Sequence, residues 1–291
     1  MTARVELRGV SYTYPGAPRP AVAAVSASVD AGEVLAVVGE SGSGKSTLAR
    51  LIAGLLRPDA GSVRLGGTDL RGLRPRDVAG RAGIVFQHPN HQLLTSSVRD
   101  ELALGPRNLG LDADAVAARV AGTARAFRLA GVLDEHPYRL ALPVRRRVAV
   151  AAIVAMRPPV LVLDEPTAGL DAAEIADLVA WIRVASGGTG PDADPSASAA
   201  APMPLSVIVV THDLRFAGSI ADRLLVLRGG SVAAHGSASA LLADVDALAA
   251  AGLEPPPLVR LAEALRIDPA LGVAGTGDAI VDAVRARRGS G

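Results

Sequence analysis

The stretch Gly39-Glu-Ser-Gly-Ser-Gly-Lys-Ser-Thr47 can cradle an anion. It fits G-x-x-x-x-G-K-[ST], directly after the apolar run Val34 to Val38 and before a helical pattern that continues to Leu56. Gly42 and Gly44 let the backbone turn successive N–H groups toward one point, and a helix starting there adds the positive end of its dipole. In that setting Lys45 neutralises β- and γ-phosphates, and the Ser46 hydroxyl is placed to bind Mg²⁺. Lys45 is also the only lysine of the chain; of 30 basic residues, the other 29 are arginine. A compact ammonium fits a tight ring of amides that a planar guanidinium does not.

Three more apolar runs end in polar groups. In Val160-Leu-Val-Leu-Asp-Glu165, adjacency on a strand sends the two acids in opposite directions, so they can hold different jobs. Asp164 suits a magnesium shell, and Glu165 suits polarising an attacking water as general base. A lone Asp-Glu pair commonly does no more than end a strand; a phosphate loop in the same chain weighs against that. Val210-Thr-His-Asp213 puts His212 at the carboxyl edge of a strand, where open α/β folds bind ligands, within reach of a γ-phosphate. Gln87, after Ile84 to Phe86, brings a fourth polar group to that edge. His88 and His91 lie in the loop beyond it without a third convincing ligand and are not read as a metal site.

Bringing these ends together requires a sheet. Val34 to Val38, Ile84 to Phe86, Val160 to Leu163 and Val207 to Val210 are continuous apolar runs separated by helical segments, the pattern of a mostly parallel α/β sheet covered on both faces. Shorter strands near Val5 to Leu7 and Val63 to Leu65 predict an N-terminal antiparallel β flap. Leu111 to Ala130 has helical spacing and predicts a helical subdomain inserted between the Phe86 and Val160 strands. Ser186 to Pro204 is low-complexity and proline-punctuated, a solvated insertion whose deletion should be tolerated. After Gly236 the pattern is helical again, split by Pro255 to Pro257, and reads as a small C-terminal appendage.

Composition removes several alternatives. A formal charge of +1 over 291 residues, with acids and bases interspersed, gives no nucleic-acid footprint. The absence of cysteine excludes disulfides, thiolate metal sites and cysteine nucleophiles. The first residues lack the apolar core of a signal peptide. The best apolar run, Val148 to Met156, stops at Arg157-Pro158-Pro159, so no span is expected and the chain reads as soluble.

Taken in order, the loop 39–47, Gln87, the strand ending in Asp164 and Glu165, the Ala168-Gly-Leu-Asp171 loop and His212 resemble the nucleotide-binding subunit of an ATP-binding cassette transporter. The resemblance covers roughly Val5 to Gly236. It implies a P-loop NTPase (RecA-like) core as domain 1–236, with the helical subdomain at about 88–155, the insertion at 186–204 and the appendage at 237–291. It implies ATP and Mg²⁺ as cofactors. Gly39, Ser41, Gly42, Ser43, Gly44, Lys45, Ser46 and Thr47 would hold the nucleotide with Asp171 and with Tyr14, whose position matches the adenine-stacking aromatic; Tyr12 could substitute. Ser46, Gln87 and Asp164 would hold the metal, and Glu165, His212, Gln87 and Lys45 would be catalytic. In that family two such subunits close head-to-tail around two ATP molecules.

Phe86-Gln-His-Pro-Asn-His-Gln-Leu93, Glu101 to Gly110 and Pro256-Pro-Leu-Val-Arg-Leu-Ala262 are similar to the energy-coupling factor branch, the ATPases of vitamin and transition-metal uptake. This implies a transmembrane coupling protein docking near Gln87, a substrate-binding membrane protein, and a place on the cytoplasmic face of the membrane held through partners alone. One motif departs. Where the family has Leu-Ser-Gly-Gly-Gln, this chain reads Leu140-Ala-Leu-Pro-Val144, without the hydroxyl, the close backbone approach or the N–H donor that contact a γ-phosphate. That surface serves the partner's ATP, so a heterodimer with a second ATPase carrying an intact signature is expected. Arg145 to Arg147, just beyond, read as a solvated helix face.

Overall fold

A computed structural model of the chain describes residues 4–88, 92–187, 204–273 and 277–289. Its centre is a six-stranded sheet built from β3 (Val34–Val38), β6 (Ala82–Val85), β7 (Val160–Asp164), β8 (Ser206–Val210), β9 (Arg223–Arg228) and β10 (Ser231–Ser237), in the order β10-β9-β3-β8-β7-β6. Five of these strands run parallel; β10 pairs antiparallel at the edge. Every residue of β3, β7 and β8 is buried, as expected for β-branched runs covered on both faces. Because the strands are parallel, the ends carrying Gly39, Gln87, Glu165 and Thr211 lie at one edge.

The four expected strands are present. The runs not anticipated are β9, whose apolar stretch is only Leu224 to Leu227 between arginines, and β10, whose Ala, His and Gly content carries little strand signal. The flap contains β1 (Val5–Tyr12) and β4 (Ala60–Leu65), as expected, with β2 (Val22–Val29) and β5 (Thr68–Asp69), in the order β2-β1-β4-β5. Helix α1 (Lys45–Ile52) fills the space between flap and sheet: its Leu48, Leu51 and Ile52 share one core with Val5, Val10 and Val25 of the flap and Leu35 and Val37 of β3.

After α2 (Pro75–Ala79) and β6 comes the helical block. It holds α3 (Val98–Asn108), α4 (Ala113–Ala126) and α5 (Leu142–Val154). The expected helix over 111–130 is α4, set by its cap, Asp112, whose side chain accepts from Ala115 N. Helix α3 forms despite an internal Pro106 because Ser97 caps its start and Val98, Leu102 and Ala103 bury one face. Leu102, Val116 and Val148 of the block pack in one core with Leu161 and Leu163 of β7 and Ile182 of α6 (Ala172–Ala185).

The expected insertion 186–204 lies mostly outside the described residues, which stop at Gly187 and resume at Pro204. Its two ends meet: Leu205 N donates to Ala185 O at 2.8 Å. Helix α7 (Leu214–Ile220) follows β8. Beyond β10 lie α8 (Ala238–Ala243), α9 (Val245–Ala250), α10 (Pro257–Ala264), α11 (Ala270–Val273) and α12 (Gly277–Gly289). The C-terminal helices do not stand apart: Leu242, Leu248 and Ala251 are buried against Ala36 and Val38 of β3 and Leu224 and Val226 of β9. No helix among the described residues is long and apolar enough to cross a membrane.

Candidate functional site

The loop from Gly39 to Gly44 joins β3 to α1, and Gly44 is the N-cap of that helix at φ 100°, ψ 0°. A side chain there would be driven into the Ala21 carbonyl, and Gly42 turns at φ 80°, so both glycines are required by the path. Lys45, the first residue of α1, is 7% exposed and its Nζ donates to the carbonyls of Gly39 and Glu40, each at 2.8 Å. Burial lowers its pKa, opposed by the nearby carboxylates of Glu165 and Asp164. The Ser43 hydroxyl is buried and has no hydrogen-bond partner among the described residues.

Ser46 Oγ donates to Asp164 Oδ1 at 3.1 Å. Asp164 is only 6% exposed, and burial raises its pKa against the opposing Ser46 hydrogen bond. Glu165 diverges from it, as the sequence suggested, by a different route. The strand has ended at Asp164, and Glu165 sits at φ 48°, a left-handed conformation that costs a non-glycine residue about 1–3 kcal/mol. That turn aims its carboxylate at His212, whose Nδ1 lies 2.9 Å from Oε1, while Thr211 Oγ1 donates to Oε2 at 3.2 Å. Glu165 is largely buried; the His212 side chain is 72% exposed.

A serine hydroxyl on a buried carboxylate, a glycine-turned loop, a buried ammonium and an orphaned serine hydroxyl fit a nucleotide's phosphates with a hard divalent cation. Tyr14 lies beside this cradle: its hydroxyl is 3.3 Å from Thr47 Oγ1 and accepts from Arg50 Nη1 at 3.2 Å. Tyr12, edge-on to Tyr14 at 5.0 Å, instead packs against the core under the flap.

Two residues stand apart. Gln87 is exposed and makes no hydrogen bond to Ser46 or Asp164 among the described residues. The side chain of Asp171 is spent on capping α6: it accepts from Glu174 N at 2.9 Å while Glu174 reaches back to Asp171 N, a capping box. His91 lies outside the described residues.

Leu140 to Val144 lead into α5. Ala141 is its N-cap with no side-chain hydrogen bond, Pro143 occupies the first turn and Leu142 is 42% exposed. The three arginines beyond are not a uniformly solvated face. Only Arg147 is exposed; Arg145 donates to the carbonyls of Tyr138 and Leu140, and Arg146 reaches back to Pro166 O beyond Glu165 at 3.4 Å. A helix start without a capping side chain is held instead by guanidinium bonds to neighbouring carbonyls.

Sequence reasoning missed Thr211, which is fully buried, bonds Glu165 and accepts from Asp213 N. It also missed Gln92 and the buried Glu101. Gln92 bonds Phe86 N just beyond β6 and Ala149 O of α5; Glu101 Oε2 accepts from Leu94 N, Thr95 N and Thr95 Oγ1. Neither the Ser97 cap nor Asp100 three residues on hints that Glu101, one residue further, turns inward.

The ABC transporter family profile matches residues 22–168. The chain is 38% identical over 267 residues to the cobalt import ATP-binding protein CbiO of Rhodobacter capsulatus, covering 90% of this chain and 89% of that protein. It is 35% identical over 265 residues to the energy-coupling factor transporter ATP-binding protein EcfA of Methanothermobacter thermautotrophicus, covering 90% and 80% respectively. Among solved structures, cbiO1 of Clostridium perfringens, part of the ABC transporter complex cbiONQ, superposes with a TM-score of 0.72 at 25% identity, over 92% of this chain and all of that one.

Proposed function

Since this chain belongs to the ATP-binding cassette transporter family, in the branch of the cobalt-import and energy-coupling factor ATPases, and is an ATPase subunit, we propose that it drives a membrane importer of a vitamin or transition-metal ion. It would sit peripherally on the cytoplasmic face, held by a transmembrane coupling protein that docks near Gln87, with substrate chosen by a separate membrane protein. The 1–236 unit carries the chemistry in this reading.

The observation that carries it is the pairing of Lys45 in its loop with Ser46 on Asp164, beside Glu165 on His212. Lys45 exchanges the carbonyls of Gly39 and Glu40 for phosphate oxygens, and the loop amides and the hydroxyls of Ser41, Ser43 and Thr47 surround the same oxygens. Ser46 and Asp164, with Gln87 drawn in, would hold magnesium, which when bound neutralises phosphate charge. Glu165 takes the proton of the attacking water, and the His212 contact at Oε1 fixes the carboxylate's direction. Tyr14 is the adenine platform, supported by its anchor on Thr47 and Arg50; Asp171 would reach the nucleotide only by releasing its cap on α6. Saturable Mg-ATP binding lost in Lys45→Ala, with turnover of the assembled complex abolished in Glu165→Gln, is the expected result. Unchanged binding after truncating Lys45 would sink the assignment.

Leu140 to Val144 support an asymmetric pairing. Without a hydroxyl at Ala141 or an N–H at Pro143, the partner's ATP loses contacts whose removal costs about 3 kcal/mol of transition-state stabilisation. The chain therefore pairs with a different ATPase, one composite site hydrolysing and the other mainly binding. Mixing it with its cognate subunit should raise turnover well above either alone; brisk turnover by the isolated chain defeats this pairing. The same defect favours a second reading, a regulatory nucleotide-binding subunit with little hydrolysis. Under it, Glu165→Gln would leave the complex's turnover intact.

A further inference from the structure

We propose that Gln92 is a positioning residue that ties this chain's own nucleotide site to the helix end facing its partner's nucleotide. Its side chain bridges two elements: Oε1 accepts from Phe86 N at 3.3 Å, at the root of Gln87 beyond β6, and Nε2 donates to Ala149 O at 2.9 Å, inside α5. Ala149 O lies mid-helix, where a carbonyl retains a second lone pair for such a donor. The carboxamide serves both ends, accepting through Oε1 and donating through Nε2, where an acceptor alone or a donor alone would serve only half of the bridge.

Helix α5 is stiff and its inner face is fully packed, so a push on Ala149 shifts the whole rod rather than bending it. Its N-terminal end carries Leu142, Pro143 and Val144, and its far side meets the segment after β7 through Arg146 on Pro166. The other end of the bridge is one residue from Gln87. A change at Gln87 when nucleotide binds therefore moves Phe86 N, and through the Gln92 amide displaces the start of α5. Both bonds are short-range, between neutral groups and half-shielded from water, so they transmit position without depending on salt.

The inference rests on the nucleotide reading above, and the test separates the two. The chain has no cysteine, so Leu142→Cys, at an exposed position at the start of α5, accepts a single environment-sensitive probe. Mg-ATP binding is monitored independently with a fluorescent ATP analogue competed by ATP. In the otherwise unsubstituted chain, Mg-ATP should change the probe signal in step with binding. In Gln92→Ala, and in Gln92→Glu, which keeps the acceptor and loses the donor, binding should persist while the probe response is lost. A purely structural role would lower the melting temperature without separating the two signals. An undiminished probe response in either variant overturns the bridge, as does a silent probe in the unsubstituted chain despite binding. Absence of binding in the unsubstituted chain overturns the nucleotide reading itself, and the bridge with it.

Discussion

The start of α5 permits a prediction in which stability and turnover come apart. Ala141 has φ −58° and ψ 151°, the extended geometry of a helix N-cap, yet no side chain accepts from the first turn. Of the two N–H groups that a cap normally takes, that of the second helical residue is missing because it is Pro143, which leaves only Val144 N. Ala141→Ser supplies a hydroxyl to that donor. Caps of this kind stabilise by about 1 kcal/mol, a rise in melting temperature of roughly 2 °C for a chain of this size.

Adding Leu142→Gly and Pro143→Gly rebuilds the family motif through its fourth position. Leu142 is 42% exposed, so little burial is lost, but each glycine in a helical turn costs up to about 1 kcal/mol. The triple variant should be about 1 kcal/mol less stable than the parent. The same change restores a hydroxyl and a backbone donor toward the partner's ATP, so turnover of the assembled pair should rise by about tenfold or more. Calorimetry of the isolated chain and phosphate release by the pair read the two effects separately. If Ala141→Ser leaves the melting temperature unchanged, Val144 N has no unmet need and the account of α5 is wrong; if the triple variant folds and pairs but gains no turnover, the segment does not face a nucleotide.

Lys45 is charged and buried, and burial lowers its pKa below the unfolded value of 10.5. The folded state therefore binds its proton less readily, so ligand-free stability should rise as pH approaches 10.5, and that rise should be absent from the stability–pH curve of Lys45→Met in chemical denaturation. His235 accepts from Arg223 through Nε2 at 2.7 Å and its pKa is lowered by burial and then by Arg223. A lowered histidine leaves the unfolded chain to take the proton first, so stability should fall as pH drops below 6.5, and His235→Gln, which keeps the acceptor, should flatten that fall in thermal melts. Deleting 188–203 should leave the melting temperature within about 2 °C and nucleotide binding unchanged, because Ala185 and Leu205 are already hydrogen-bonded; a large loss would show that the segment packs on the body.

What the sequence made legible was whatever depends on local pattern. The loop 39–47, the four apolar strands and the ends at Asp164 and His212 each announce themselves within ten residues, and a parallel sheet then brings them to one edge without further information. What it concealed depends on residues far apart. Strands β9 and β2 owe their state to partners rather than propensity, and the C-terminal helices looked separate because nothing local shows that Leu242 and Leu248 will bury against β3. Arg145 and Arg146 read as solvated because a charge run has no address; the carbonyls of Leu140 and Pro166 that receive them are visible only once α5 is placed.

The two acids at the end of β7 show why the chemistry needs the whole sheet. Asp164 is still in the strand, so the pleat and its burial direct it to Ser46 on α1, a residue that a different strand, β3, has positioned. Glu165 is one residue later and free of the pleat, and the left-handed turn at φ 48° is sustained by bonds from the next strand: its own N–H donates to Val210 O, and Thr211 and His212 receive the side chain. The cost of that backbone is met by β8. Substituting Glu165 with glycine would relieve the strain and remove the proposed base together, so a stabilised protein with no turnover is the expected outcome, and a destabilised one would mean that the bonds to Thr211 and His212 outweigh the strain.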